Sequence, residues 1–371
     1  MKSFEYADET ISDKELMIAV PSIIIGLGIL TLPKDLAEDT IAADGWLAIF
    51  ITGLFFIGYA WLLTKLASLF PHQSFISFAS SLVTKPIAIV FTFLLALEGI
   101  FIGGFVIRAI SDIAKEYLFD RTPVEVISLT FLLVVVYAIS GSRAGLFRIN
   151  MMFFPIIIWI ILIVGIFSIN FIDVTNFLPV LQTDVSGFVH STKTSLFAYS
   201  GPFILLLYTS LVRTPKNAPK RAAYGMAFVP LMYIFIYFMC VGVFGYTATA
   251  NVNYPIIELA KEIEIPGGFF ERFDSIFFVI WIMAIFNTIT MALDASVFAL
   301  ESIFKLKKMQ LLYILSPLVF LIGMLPADIL AVERFSEFVS IYGLIIKTLI
   351  ILVLLFMVKI KKTTKKDKTK K

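Results

Sequence analysis

Ten apolar runs, each close to the length that carries a helix across a bilayer, dominate this sequence of 371 residues. A hydrocarbon core about 30 Å thick takes about 20 residues at helical rise. The runs lie at 16–36, 46–69, 86–107, 124–140, 149–169, 193–212, 222–246, 273–300, 311–325 and 338–358, the fourth and ninth being among the shortest. In hydrocarbon every backbone amide must be paired internally, so these runs must be helices, and the alternation of a porin-like barrel is absent. Composition agrees: 59% of residues are hydrophobic, 15% are charged, and the mean hydropathy is +0.95. A water-soluble globule needs more polar cover than that. The expected fold is one all-α polytopic domain over 16–358, between an N-terminus of 1–15 and a basic tail of 359–371.

Charge distribution sets an orientation. With both termini in the cytoplasm, 21 of the 30 lysines and arginines fall on the inner side. The opposite loops carry 18 of the 27 acids, including Asp35, Glu38, Asp39 and Asp44 in the first. Positive residues are retained on the cytoplasmic face, so both ends of the chain are expected inside. The tail holds eight lysines and one acid. It reads as an anchor against anionic headgroups, worth about 1 kcal/mol per lysine near the surface. No aromatic residue interleaves these lysines as a nucleic-acid-binding tail would show.

Several chemistries lack their residues. Cys240 is the only cysteine, which leaves no intramolecular disulfide, and His72 and His190 are the only histidines, both expected in loops. No zincin, esterase or P-loop motif occurs. Nothing in the sequence requires a cofactor or a metal.

Ten runs invite a comparison of two halves, about 16–170 and 193–358. The first run contains Gly26, Leu27 and Gly28 between Pro21 and Pro33. The sixth contains Tyr199, Ser200, Gly201 and Pro202. Glycine weakens a helix by about 1 kcal/mol, and proline removes a backbone donor. Both segments are expected to be broken helices. Interrupted helices at matching places in two inverted halves point to a binding site near the bilayer midplane. Glycine and proline also serve packing and kinks in membrane helices.

The run Gly26-Leu27-Gly28-Ile29-Leu30-Thr31-Leu32-Pro33 resembles the first-helix motif of the amino acid–polyamine–organocation superfamily. Within it the chain resembles the spore-germination permeases, the B subunits of Ger-type germinant receptors. The likeness rests on the acidic N-terminus with Ile11-Ser12, the ten runs, the length, and Arg213-Thr214-Pro215-Lys216-Asn217 after the sixth run. The resemblance implies a LeuT-like 5+5 inverted repeat with a nutrient bound between spans one, three, six and eight. It also implies a receptor A subunit and a C lipoprotein as partners in the spore inner membrane, with binding that signals germination. Some proton-coupled relatives carry a lysine in span five, whereas 149–169 here has no ionisable residue. No acid in span one offers a sodium site either, although backbone carbonyls with Thr288 could coordinate that ion.

Ionisable groups at bilayer depth cost about 2.5–3.5 kcal/mol and are functional candidates by default. Glu98 shares a helix face with Ile102, and could accept a ligand's ammonium group, carry a proton, or pair with Lys347 in span ten. In span eight the family resemblance implies that Asn287, Thr288 and Met291 line the pocket, with Asp294 nearer a cytoplasmic gate. The candidate ligand residues are therefore Gly26, Leu27, Gly28, Glu98, Ile102, Tyr199, Ser200, Gly201, Asn287, Thr288 and Met291. Glu98, Asp294 and Lys347 are candidates for coupling or charge pairing. The leading expectation is a sensor of a small nutrient, an amino acid by preference. A proton-coupled amino acid transporter with Glu98 as relay uses the same residues. A channel lacks a visible ring of pore charges, and an enzyme lacks a catalytic motif.

Overall fold

The computed structural model describes residues 9–263 and 273–368. Most of the acidic N-terminus and the end of the basic tail lie outside that range. Thirteen α-helices follow one another: α1 (Asp13–Asp39), α2 (Gly45–Ser68), α3 (Phe75–Leu82), α4 (Lys85–Tyr117), α5 (Val124–Ser140), α6 (Arg143–Ser168), α7 (Val185–Ala198), α8 (Ile204–Tyr208), α9 (Ala218–Asn251), α10 (Pro255–Lys261), α11 (Phe273–Phe304), α12 (Lys308–Met324) and α13 (Ile329–Lys368). Seven of these are long and apolar enough to cross a membrane. The fourth and ninth runs form the shorter helices α5 and α12, of 17 residues each. The sixth run forms α7 and α8.

Several helices exceed their apolar runs, because hydrogen-bonded turns continue where polar residues reach water. α4 extends to Tyr117, and α13 begins at Ile329 and continues into the lysine-rich tail. His190 lies in α7 rather than in a loop, with its Nδ1 2.9 Å from Asp39 Oδ2, whereas His72 lies in a turn.

The N-terminal capping signal of α1 is explicit. Ser12 Oγ accepts from the Glu15 amide at 3.1 Å, and the Ser12 amide donates to Glu15 Oε2 at 2.6 Å. From that start α1 runs through the middle of the molecule, packed on α9, α11, α7 and α6. One layer groups α1, α2, α7 and α9; a second groups α4, α5, α11 and α12, with α13 against α4. The short helices α3 and α10 follow the second and seventh spans respectively.

The expectation of a broken first helix is not met. α1 is continuous from Asp13 to Asp39 across Gly26, Gly28 and both prolines. Packing, rather than unwinding, consumes the glycines. A Cβ at Gly26 would overlap Thr288 Oγ1, and one at Gly28 would lie 2.6 Å from the Tyr233 hydroxyl and 3.0 Å from the Ala198 carbonyl. The helix keeps its ladder and lends its carbonyls' second lone pairs to neighbouring side chains.

The sixth span does break. Tyr199 ends α7, Gly201 adopts φ +130°, and α8 begins at Ile204. Proline disfavours a helical conformation at the residue before it. Gly201, lacking a Cβ, accepts the positive φ that this turn imposes.

Candidate functional site

The break in span six lies against the middle of α1. A Cβ on Gly201 would sit 3.1 Å from Ile23 Cγ2 and 3.4 Å from Ile24 Cγ1, so the side chains of α1 pack directly on the turn. Three alternate carbonyls of α1 face polar hydrogens from two other helices, α9 and α11. The Thr288 hydroxyl lies 3.3 Å from the Ser22 carbonyl and 3.3 Å from Ala284 of its own helix. The Tyr233 hydroxyl donates to Ala198 at 2.9 Å and lies 3.3 Å from the Ile24 carbonyl. The Trp281 indole donates to the Gly26 carbonyl at 2.9 Å.

Aromatic rings close the site on the side of α2 and α9. Tyr199 stacks on Phe56 at 5.1 Å and meets Tyr233 edge-on at 5.3 Å, while its hydroxyl donates to the Ile49 carbonyl at 3.1 Å. Such ring pairs contribute about 0.5–1.5 kcal/mol beyond area burial. The site is thus apolar walls around a few directed polar groups.

Glu98 is not part of this cluster. It pairs with Lys347 across the α4–α13 interface, and both side chains are fully buried. Gly343 makes room for the pair, since a Cβ there would lie 2.5 Å from Glu98 Oε1 and 2.9 Å from Lys347 Nζ. The link to the break runs along α13: Ser200 Oγ donates to Ser340 Oγ at 3.3 Å, and Ser340, Gly343 and Lys347 share one helix face. Ile102 and Leu27 belong to the continuous apolar core.

Span eight divides its polar residues by face. Thr288 points at α1; Asn287 lies about 100° away around the helix, on the face it shares with Asp294, which meets Arg143 of α6. The Met291 carbonyl lies 3.5 Å from the Tyr208 hydroxyl. Asp294, fully buried, sits in an ion cluster: Arg143 Nε at 3.3 Å, Lys308 Nζ at 3.1 Å and the Tyr208 hydroxyl donating at 2.7 Å. Arg143 also pairs with Glu301, reaches Glu9 at 3.6 Å and lies 4.4 Å above the Phe298 ring. Among the described residues no group of acids, histidines and cysteine could hold a metal ion.

Sequence reasoning passed over Trp281, Tyr233, Ser340, Arg143 and Tyr208. A signal existed for Trp281 and Tyr233, because a buried indole or phenol must find an acceptor. Their acceptors are main-chain carbonyls, which no side-chain pattern announces.

A central helix, a broken partner and two helical layers define the LeuT-like architecture of helical membrane proteins. MhsT in complex with L-phenylalanine superimposes on this fold with a TM-score of 0.70 over 92% of this chain and 89% of that one, at 16% identity. The sequence identifies the chain more narrowly. Residues 10–332 match the spore permease family, described as spore germination protein, and the chain belongs to that family. It is 38% identical to spore germination protein GerLB of Bacillus cereus over 365 residues, 98% of each chain. Spore germination protein YndE of Bacillus subtilis (strain 168) is 28% identical over 323 residues, covering 86% of this chain and 88% of that one.

Proposed function

We propose that this protein is the nutrient-sensing B subunit of a spore germinant receptor, with a small amino acid bound where α1 meets the break in span six. The carrying observation is the Tyr199–Phe203 break laid against α1 at Ile23 and Ile24. A turn removed from the helical ladder offers backbone groups to a zwitterion at bilayer depth. The pocket residues in this reading are Gly26, Gly28, Tyr199, Ser200, Gly201 and Thr288. Ten spans arranged as two inverted halves, both termini in the cytoplasm and placement in the spore inner membrane complete the proposal. The A subunit and C lipoprotein read the conformation that the solute selects. A ligand shifts such an equilibrium only by its difference in affinity for the two states.

The test is thermal unfolding of the purified chain in nanodiscs against L-amino acids, nucleosides and sugars. A ligand at 100 times its Kd stabilises by about 2.7 kcal/mol. One nutrient class should raise the midpoint selectively, and Ser200→Ala should weaken that shift while leaving the unliganded midpoint nearly unchanged. A shift by every class alike, or one indifferent to Ser200→Ala, removes the pocket from the function.

A second reading, a proton-coupled amino acid transporter, is favoured by one observation: Glu98 is a buried carboxylate linked through Lys347 and α13 to Ser340, which contacts the break. Proteoliposome flux separates the two readings. Saturable uptake that follows a proton gradient and disappears in Glu98→Gln establishes transport.

A further inference from the structure

α6 and α11 run side by side in opposite directions, and two contacts fix their register. Arg143 meets Asp294 near one end, and the Phe153 and Phe286 rings meet at 6.1 Å deeper in the bundle. Seven residues carry a helix two turns along and back to nearly the same face, about 10.5 Å away. Counting inward by seven from Arg143 reaches Asn150; counting inward by seven from Asp294 reaches Asn287. The two asparagines therefore stand at the same depth, on the faces that α6 and α11 turn toward each other, between the two contacts.

Both are completely buried, and among the described residues neither the oxygen nor the nitrogen of either carboxamide has a hydrogen-bonding partner. Two carboxamides in direct contact would pair with each other, so a gap separates them. Their surroundings are apolar, with Phe147, Phe153 and Ile157 on α6 and Phe286 and Met291 on α11. A buried polar group left unmatched costs about 1–3 kcal/mol. Four such groups brought to one level call for a common partner.

The chemistry of that partner follows from the carboxamide. Each presents an acceptor and two donor hydrogens. A bare cation satisfies the oxygens and leaves N–H groups facing a positive charge; an anion does the reverse. A small neutral molecule that donates and accepts matches both, and buried waters typically make about three hydrogen bonds to groups of this kind. We propose that Asn150 and Asn287 form a polar site between α6 and α11 that holds ordered water bridging the two carboxamides. This site is separate from the break in span six, because Asn287 and Thr288 face different helices. It lies two turns inward of the Arg143–Asp294 pair and gives the apolar interior a hydrated step above that cluster.

Hydroxyl-radical footprinting of the full chain in nanodiscs, read by mass spectrometry, tests it. Ordered water beside Met291 should make it oxidise several-fold faster than Met226, which is equally buried. Asn150→Leu with Asn287→Leu should bring Met291 down to the Met226 rate. Asn150→Ser, which retains a hydroxyl and little bulk, should keep the labelling if the leucine variant folds poorly. Labelling of the wild type no faster than Met226, or unchanged in the leucine double variant, overturns the proposal. So does a sodium-dependent rise in melting temperature that Asn287→Leu abolishes, since the occupant is then a cation.

Discussion

Gly26 shows how one residue type answers two structural demands that sequence cannot separate. A glycine at mid-span permits unwinding, and it also permits another helix to approach within reach of its carbonyls. In α1 the second use prevails: Thr288 and the Ala284 carbonyl occupy the side where a Cβ would stand, and Trp281 reaches the Gly26 carbonyl. Gly26→Ala is expected to lower stability by about 1–3 kcal/mol through overpacking. Adding Thr288→Ala should restore part of that loss, because the overlapping hydroxyl is gone. Chemical unfolding of both single variants and the double variant measures the coupling, and strict additivity rules out the steric account. By contrast, the conformation of Gly201 was legible, since the proline after it removes a donor and leaves glycine the residue that takes φ +130°.

At the scale of elements, apolar runs located the long helices well and their ends poorly. The run in α4 stops near Ile107, yet the helix continues to Tyr117, because nothing before Tyr117 interrupts its ladder. Packing between elements was less legible again, since it depends on which faces meet. The α4–α13 interface illustrates the point: Glu98 is far in sequence from Gly343 and Lys347, and their meeting gives the interface one buried ion pair. Removing one partner leaves an uncompensated buried charge, typically a loss of about 3–5 kcal/mol. Lys347→Met alone is thus expected to destabilise strongly. Glu98→Leu combined with Lys347→Met should recover most of that loss, because apolar replacement of both partners is often neutral. The comparison needs unfolding midpoints and a second readout, the nutrient-induced stabilisation. If α13 conveys the state of the ion pair to Ser200 through Ser340, the double variant regains stability without regaining the wild-type ligand shift. Full recovery of both would make the pair a fastener only.

Across the whole molecule, one end is closed by the chain's own N-terminal segment and by charge. Ile11 pairs with the strand-like turn after span six, its amide donating to Leu211 at 2.9 Å and its carbonyl accepting from Arg213 at 2.9 Å. Arg221 holds Asp13 at 3.1 Å, and Arg148 lies 3.8 Å from Glu15. Beneath them Arg143 joins α6 to the acids of α11 and to Glu9. Without Arg143, Lys308 is the cation left to Asp294, Glu301 and Glu9 among the described residues, and the mutual repulsion of these acids favours a conformation in which this end separates. Cysteine labelling can detect that separation, because the one native thiol, Cys240, is fully buried. Leu207 in α8 is 2% exposed, so a cysteine placed there reports access from this end to the interior below the break. With Leu207→Cys as background, Arg143→Ala should raise the rate of maleimide labelling several-fold, and Arg143→Lys should give an intermediate rate. Cys240 should stay unlabelled in all three, which distinguishes opening at one end from general unfolding. Equal labelling with and without Arg143, at unchanged stability, would mean that the N-terminal pairing closes this end alone. In that case Ile11→Pro, which removes the amide bonded to Leu211, becomes the change that opens it.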